Sequence, residues 1–234
     1  MRSSLARSIH THLRKALERI RGGVAPLTRP SKYYPRMPRI SMEKAGAPRI
    51  DMVHALEQRH STNSIDKKNA LELDHVKELL GYSLRKREKG GRPYPSGGAL
   101  YPIETYVIVQ KVKDLPQGVY HYDPHENALE ELWNIPTPLQ VFAEKYGASW
   151  ANDAPLIILF TGMWERSAVK YDDFAYFLGL VEAGHMAQNI LLIASARGLA
   201  TCPLGGFDDD AVTKLLDLDE HQEQPIYAIA VGKD

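Results

Sequence analysis

One cysteine, Cys202, is all that a chain of 234 residues carries, and this excludes an internal disulfide framework and any multi-cysteine zinc or iron–sulfur site. That usage fits a reducing compartment, and a cytoplasmic protein is expected. Charge of one sign is not in excess either. Lys and Arg total 29 and Asp and Glu total 29, so no global field favours nucleic acid or an anionic membrane. No run of about eighteen apolar residues occurs, so no membrane span is expected. Three signatures are missing as well: Gly-x-Gly-x-x-Gly after a strand, Gly-x-x-x-x-Gly-Lys-Ser/Thr and His-Glu-x-x-His. Their absence argues against a nicotinamide-binding doubly wound fold, a P-loop and a helical zinc site, and no metal is expected. Internal repeats and low-complexity tracts are also absent.

A hydrophobic content of 44% is enough for a sizeable core, which predicts one domain with an appended N-terminal segment. Residues 1–22 place Leu5, Ile9, Leu13, Ala16, Leu17 and Ile20 on one helical face with arginines elsewhere, and Gly22-Gly23 stops the pattern. Such a basic amphipathic helix docks on the body or a second subunit, serves as an Arg-rich targeting segment, or lies on a membrane surface; docking is the favoured reading. Residues 23–50 carry five prolines and no sustained period, which predicts an extended arm.

The body is read as 51–234. Asp51 caps a short helix over "MVHALEQR", and "LDHVKELLGYSLRKREKG" reads as a second helix. Strands are predicted at "ETYVIVQ", "GVYHYD", "PLIILFTG" and "QPIYAIAVG". Between the last two, "DDFAYFLGLVEAGHMAQNILLIASARGL" is apolar on nearly every face and predicts a long buried helix. Helices before, between and beside a mixed sheet give an α+β domain, and so apolar a helix makes sense where two subunits pack their long helices together.

Several small clusters carry the chemistry. Arg59, His60 and Ser61 stand at the end of a short helix; a guanidinium fork and a hydroxyl suit phosphate oxygens, although alone such a triplet reads as a solvated helix end. In "PYPSGGALYP" the glycines allow either a left-handed backbone or a flat ligand against it. A second pair, Gly205-Gly206, precedes Asp208, the predicted N-cap of "DDAVTKLLDL"; three successive aspartates there repel phosphate, so these glycines are expected to face something flat and uncharged. In the long helix Glu182, His185 and Asn189 share one face, which favours an interhelical hydrogen-bond network over catalysis.

Taken in order, "ALEQRHSTNSI", "PSGGALYPIETYVIV", "GVYHYDPHENALEEL", "VKYDDFAYFLGLVEAGHMAQN" and "CPLGGFDDDAV" resemble the FMN-dependent nitroreductase superfamily over roughly 50–232, and within it the SagB-type, thiazole/oxazole-forming dehydrogenase branch. The resemblance implies a homodimer or pseudo-dimer with two FMN sites at its interface. It implies that Arg59, His60 and Ser61 contact FMN, that Pro95, Ser96, Gly97 and Gly98 lie along its ring, and that Gly205 and Gly206 cover the other edge. Two departures stand out. Asn63 replaces a basic residue common two places after the serine, and the C-terminal basic residues reduce to Lys233.

Lys170 and Tyr171 match the Lys-Tyr pair of azoline-oxidising members, where a base removes a proton as hydride leaves the neighbouring ring carbon; outside the family such a pair reads as ordinary surface. The implied function is FMN-dependent dehydrogenation of a thiazoline- or oxazoline-type peptide or a related small substrate, with a cyclodehydratase as partner. The rival readings are an NAD(P)H-dependent nitro or quinone reductase and a non-catalytic flavin-stabilised scaffold of a peptide-modifying complex.

Overall fold

Tyr106 and Ile108 pack on one side of a central strand and Val107 and Val109 on the other, and all four are buried. This strand, β2 (Ile103–Val109), lies in the middle of a seven-stranded sheet whose alternate residues feed two cores. The computed structural model describes residues 2–43, 51–136 and 138–234, so the last part of the proline-rich arm, 44–50, lies outside the described residues.

The sheet runs β1 (Arg39–Ser41), β4 (Ala128–Trp133), β3 (Gly118–Asp123), β2, β5 (Leu156–Gly162), β7 (Gln224–Lys233) and β6 (Leu199–Leu204). Every pairing between these neighbours is antiparallel, which refines the expected mixed sheet. The strand–helix–strand pattern is present, since β5 and β6 run the same way with helices between them. β7 is inserted between the two, antiparallel to both. The four predicted strands correspond to β2, β3, β5 and β7.

One face of the sheet is covered by α3 (Leu73–Ser83) and α5 (Phe174–Ala196), whose Leu79, Leu80, Met186 and Ile190 pack on Val107, Ile158, Phe160 and Ile229. The other face is covered by α6 (Asp209–Leu216) and by Leu139, Val141 and Phe142. Both predicted caps form. Asp51 accepts from the Val53 and His54 N–H groups to start α2 (Met52–Gln58), and Asp208 accepts from the Ala211 N–H to start α6. The second helix ends at Ser83, short of the predicted stop at Gly90, because the charged stretch after Leu84 offers no apolar face to bury.

The chain by itself buries one side of α5 and leaves the other open: Tyr176, Phe177, Leu180 and Val181 are 40 to 50% exposed. By length and composition this helix of 23 residues, which contains a stretch with a mean hydropathy of 1.3, is long and apolar enough to cross a membrane. Its inner side packs on the chain's own sheet and α3, which accounts for that composition as a core helix.

The N-terminal segment forms α1 (Arg2–Ala16) and a 3-10 turn, and among the described residues it is fastened toward its far end. His12 meets Asp173 at 2.9 Å, Arg19 meets Asp172 at 3.1 Å, and the Arg21 N–H bonds the Lys170 carbonyl, while Leu5 and Ile9 stay exposed. The arm after it lies over a buried ionic layer on the α6 side of the sheet. Arg29 pairs with Asp123, Lys32 with Glu223 at 2.7 Å and Arg39 with Glu130 at 2.6 Å. His121 lies fully buried between Glu104 and Glu130, 2.9 Å from each. Burial disfavours charge on His121, yet its bonds to Glu104 and Glu130 outweigh this and raise its pKa above the ordinary value. Burial likewise pushes Glu104 up, but His121 and Arg166 bring it down to about 2.

Candidate active site

The loop before β2 is strained where the sequence has Pro95-Ser96-Gly97-Gly98. Gly98, Ala99 and Tyr101 all have left-handed backbones, with φ of 63°, 56° and 45°. Only the first has no Cβ to crowd, so the loop is held by other contacts. The Tyr101 N–H donates to Ser96 Oγ at 2.9 Å, the Ala99 N–H to the Ser96 carbonyl at 3.1 Å, and the Arg92 N–H to Tyr101 Oη at 3.1 Å.

Two side chains approach the glycines from α4 (Glu165–Tyr171). A Cβ added at Gly98 would meet Lys170 Nζ and Tyr171 Oη at 3.0 Å each, and one at Gly97 would meet Leu178 at 3.0 Å and the Tyr171 ring at 3.5 Å. Within one chain, then, what requires these glycines is the Lys170–Tyr171 pair. Lys170 Nζ lies 5.2 Å from the Tyr171 ring centroid and has no carboxylate partner among the described residues. Behind the loop, Glu182 of α5 is 2% exposed and faces Ser96; burial raises its pKa to about 7 against the opposing pull of Ser96, Arg92 and Arg166.

The expected Glu182–His185–Asn189 network does not form. His185 is exposed, Asn189 reaches the Ser83 and Pro93 carbonyls at 3.5 and 3.3 Å, and Glu182 turns toward the loop. Residues a helical turn apart share a side of the helix only loosely, and here the neighbouring elements separate them.

A second group gathers elsewhere. Ser61, Asn63, Gly205 and Gly206 line one open cleft of about 570 Å³ with Tyr146 and Trp150. A Cβ on Gly205 would meet nothing within 4 Å, and one on Gly206 would meet Tyr146 at 3.2 Å. Arg59 caps the end of α2 through its N–H to the Ala55 carbonyl at 3.1 Å, and its guanidinium has no ion pair among the described residues. His60 lines an adjoining hollow of about 340 Å³ with His54, Ser195 and Asp234, and Lys233 ends β7, its carbonyl accepting the Asp66 N–H.

The two groups sit toward opposite ends of α5. Leu178 touches Gly97, whereas Ser195 Oγ donates to the Ala55 carbonyl of α2 at 3.1 Å. The 17 residue steps from Leu178 to Ser195 rise about 26 Å at ~1.5 Å each. One chain therefore does not bring Ser96, Gly97 and Gly98 to Ser61, Asn63, Gly205 and Gly206. Sequence reasoning found the members of both groups and missed Glu182 as part of the first; a carboxylate amid an apolar helix was the available signal.

The nitroreductase family model matches residues 56–233. A Methanocaldococcus jannaschii protein named as a nitroreductase is 30% identical over 146 residues, covering 62% of this chain and 72% of that one. The microcin B17-processing protein McbC of Escherichia coli is 32% identical over 166 residues, 68% of this chain but only 61% of McbC. Among solved structures, the E. coli microcin synthetase McbBCD complex with truncated pro-MccB17 bound contains a chain that superposes with a TM-score of 0.66 at 26% identity, covering 100% of this chain and 94% of that one. A protein of Exiguobacterium sibiricum named as a nitroreductase and solved in complex with FMN shares the fold, with a TM-score of 0.57 at 14% identity over 82% of this chain and 90% of that one. The microcin B17-processing relative is of the kind the SagB-type resemblance implies. This chain belongs to the nitroreductase family and is an oxidoreductase of that superfamily.

Proposed function

We propose that the protein is an FMN-dependent dehydrogenase of thiazoline- or oxazoline-containing peptides, working as a homodimer. The observation that carries the reading is the meeting of Lys170 Nζ and Tyr171 Oη at Gly98, inside a loop held in strained geometry. The likeness to McbC and to a chain of a microcin synthetase complex supports a peptide substrate and a cyclodehydratase partner.

The residues fit a flavin. Open space over Gly205 and polar groups at Ser61 and Asn63 suit a flat ring, and the neighbouring Arg59, whose guanidinium has no ion pair among the described residues, suits a phosphate. Pro95, Ser96, Gly97 and Gly98 supply the second, and the distance along α5 separates them in one copy. Two copies packed antiparallel through the open stripe of Phe177, Leu180 and Val181 bring one copy's second region to the other's first. Gly184, exposed on the same stripe with nothing within 4 Å of a Cβ, permits close approach of the helices.

FMN, when bound, supplies the hydride acceptor. The chain's own part is to seat the azoline ring beside Lys170 and Tyr171 and to remove the neighbouring proton. Lys170 Nζ is placed to accept that proton, and Tyr171 Oη beside it orients the amine and relays the proton outward. The wall of Leu178 and the closed loop limits water at that point.

The test is turnover of an azoline peptide by the FMN-loaded protein. Lys170→Ala and Tyr171→Phe are expected to keep FMN and lose turnover. Full azoline turnover in the double variant overturns the assignment, and rapid NAD(P)H oxidation without azoline turnover by the unaltered protein selects the reductase instead.

A further inference from the structure

Glu182 is the carboxylate that α5 buries, and its Oε1 has no hydrogen-bond partner among the described residues. Its contact is Ser96, whose hydroxyl also receives the Tyr101 N–H at 2.9 Å. That bond spans Gly98, Ala99 and Tyr101, the left-handed residues whose conformation the loop must hold. The same loop sets Gly98 against Lys170 and Tyr171. Carboxylate, hydroxyl, strained loop and Lys-Tyr pair therefore form one continuous chain of contacts.

The charged and titratable groups facing Glu182 are engaged elsewhere. Arg166, from α4, is paired with Glu104, and Arg92, from the preceding loop, donates to Tyr94 Oη at 3.0 Å and to the Pro30 carbonyl at 2.7 Å. Tyr94 is buried and kept neutral, its pKa raised by burial against the pull of Arg92. His185, a turn further along α5, is exposed. No ion pair claims Glu182 among the described residues.

We infer that Glu182 is a positioning residue that, through Ser96, holds the 96–101 loop closed on Lys170 and Tyr171. Its bearing on turnover rests on the function proposed above, whereas the clasp itself does not. The sign of its pH dependence follows from burial. A carboxyl raised to about 7 in the closed loop and lower in an opened, hydrated one favours closure while it is protonated. Opening is favoured as pH rises through about 7, when the ionised group draws water in.

Amide hydrogen exchange of residues 96–101 in the full-length protein at pH 6 and pH 8, corrected for intrinsic exchange, tests this. Protection in the unaltered protein is expected to fall by up to about tenfold from the lower to the higher pH. Glu182→Gln, a neutral isostere, should give equal protection at both, and Ser96→Ala should lower protection and remove the pH effect. An unaltered protein with no change between the two pH values overturns the inference. So does a Glu182→Gln or a Ser96→Ala protein that changes as the unaltered one does; the second variant decides if the first does not fold. In the FMN-loaded protein, azoline turnover should fall above pH 7 less steeply in Glu182→Gln. Turnover without the exchange pattern sinks the clasp alone, and the pattern without flavin binding or turnover sinks the proposed function alone.

Discussion

The 95–101 loop and the Ser61–Gly205 cleft are both built on paired glycines, yet the chain treats them in opposite ways. At Gly98 the backbone is left-handed and the space of a Cβ is bounded by Lys170 and Tyr171; at Gly205 that space is open. One region is packed, strained and backed by a buried carboxylate, while the other is an open hollow lined by Ser61 and Asn63. The difference teaches that a Gly-Gly pair has two physical uses. Gly97-Gly98 lets the protein's own side chains approach the backbone, and Gly205 leaves room for something from outside.

The sharpest way to break that comparison is to alter each region and ask which property is lost. Lys170→Ala and Tyr171→Phe should each lower azoline turnover by about 10²- to 10⁴-fold with FMN content unchanged, measured on the same preparations. Next in size is the buried carboxylate. A raised pKa means that Glu182 contributes stability below its unfolded value of 4.5 and loses it as pH rises through about 7. Thermal melts of Glu182→Gln against the unaltered protein should therefore diverge in favour of the variant between pH 5 and pH 8, by up to about 3 kcal/mol. Arg59→Ala has the opposite signature to the Lys-Tyr variants: FMN affinity weaker by about 2 kcal/mol in a fluorescence titration, with the fold unchanged. The smallest effect separates the glycines. Gly98→Ala should cost about 1–2 kcal/mol of stability through its left-handed φ, whereas Gly205→Ala should leave the melting temperature alone and weaken FMN binding.

Much of this was legible in the sequence, and the exceptions have physical reasons. The four strands read correctly, β2, β3, β5 and β7, are apolar runs rich in β-branched and aromatic residues, the signal that propensity carries. β4 was missed because "ALEELW" spends two of its six positions on glutamate. Glu130 is tolerated there through His121 and Arg39, partners that no local window reveals. β6 includes Pro203, permitted because β6 is an edge strand. β1 is only three residues long and takes its register from β4. At the site, residue types and motif order named both glycine pairs and the Lys-Tyr pair. Their grouping could not be read, since nothing in the order of motifs tells that α5 holds two of them apart.

That separation makes the dimer the hinge of the proposal, and Leu180, 40% exposed on the open stripe of α5, is the place to test it. An aspartate buried at the helix interface is left without a partner, so Leu180→Asp should dissociate the pair while touching neither glycine region. The measurement is FMN binding by this variant, with its mass from sedimentation and its fold from circular dichroism. A folded monomer that no longer binds FMN is the expected result; a folded monomer that binds FMN as tightly as the unaltered protein would contradict a site assembled from two copies.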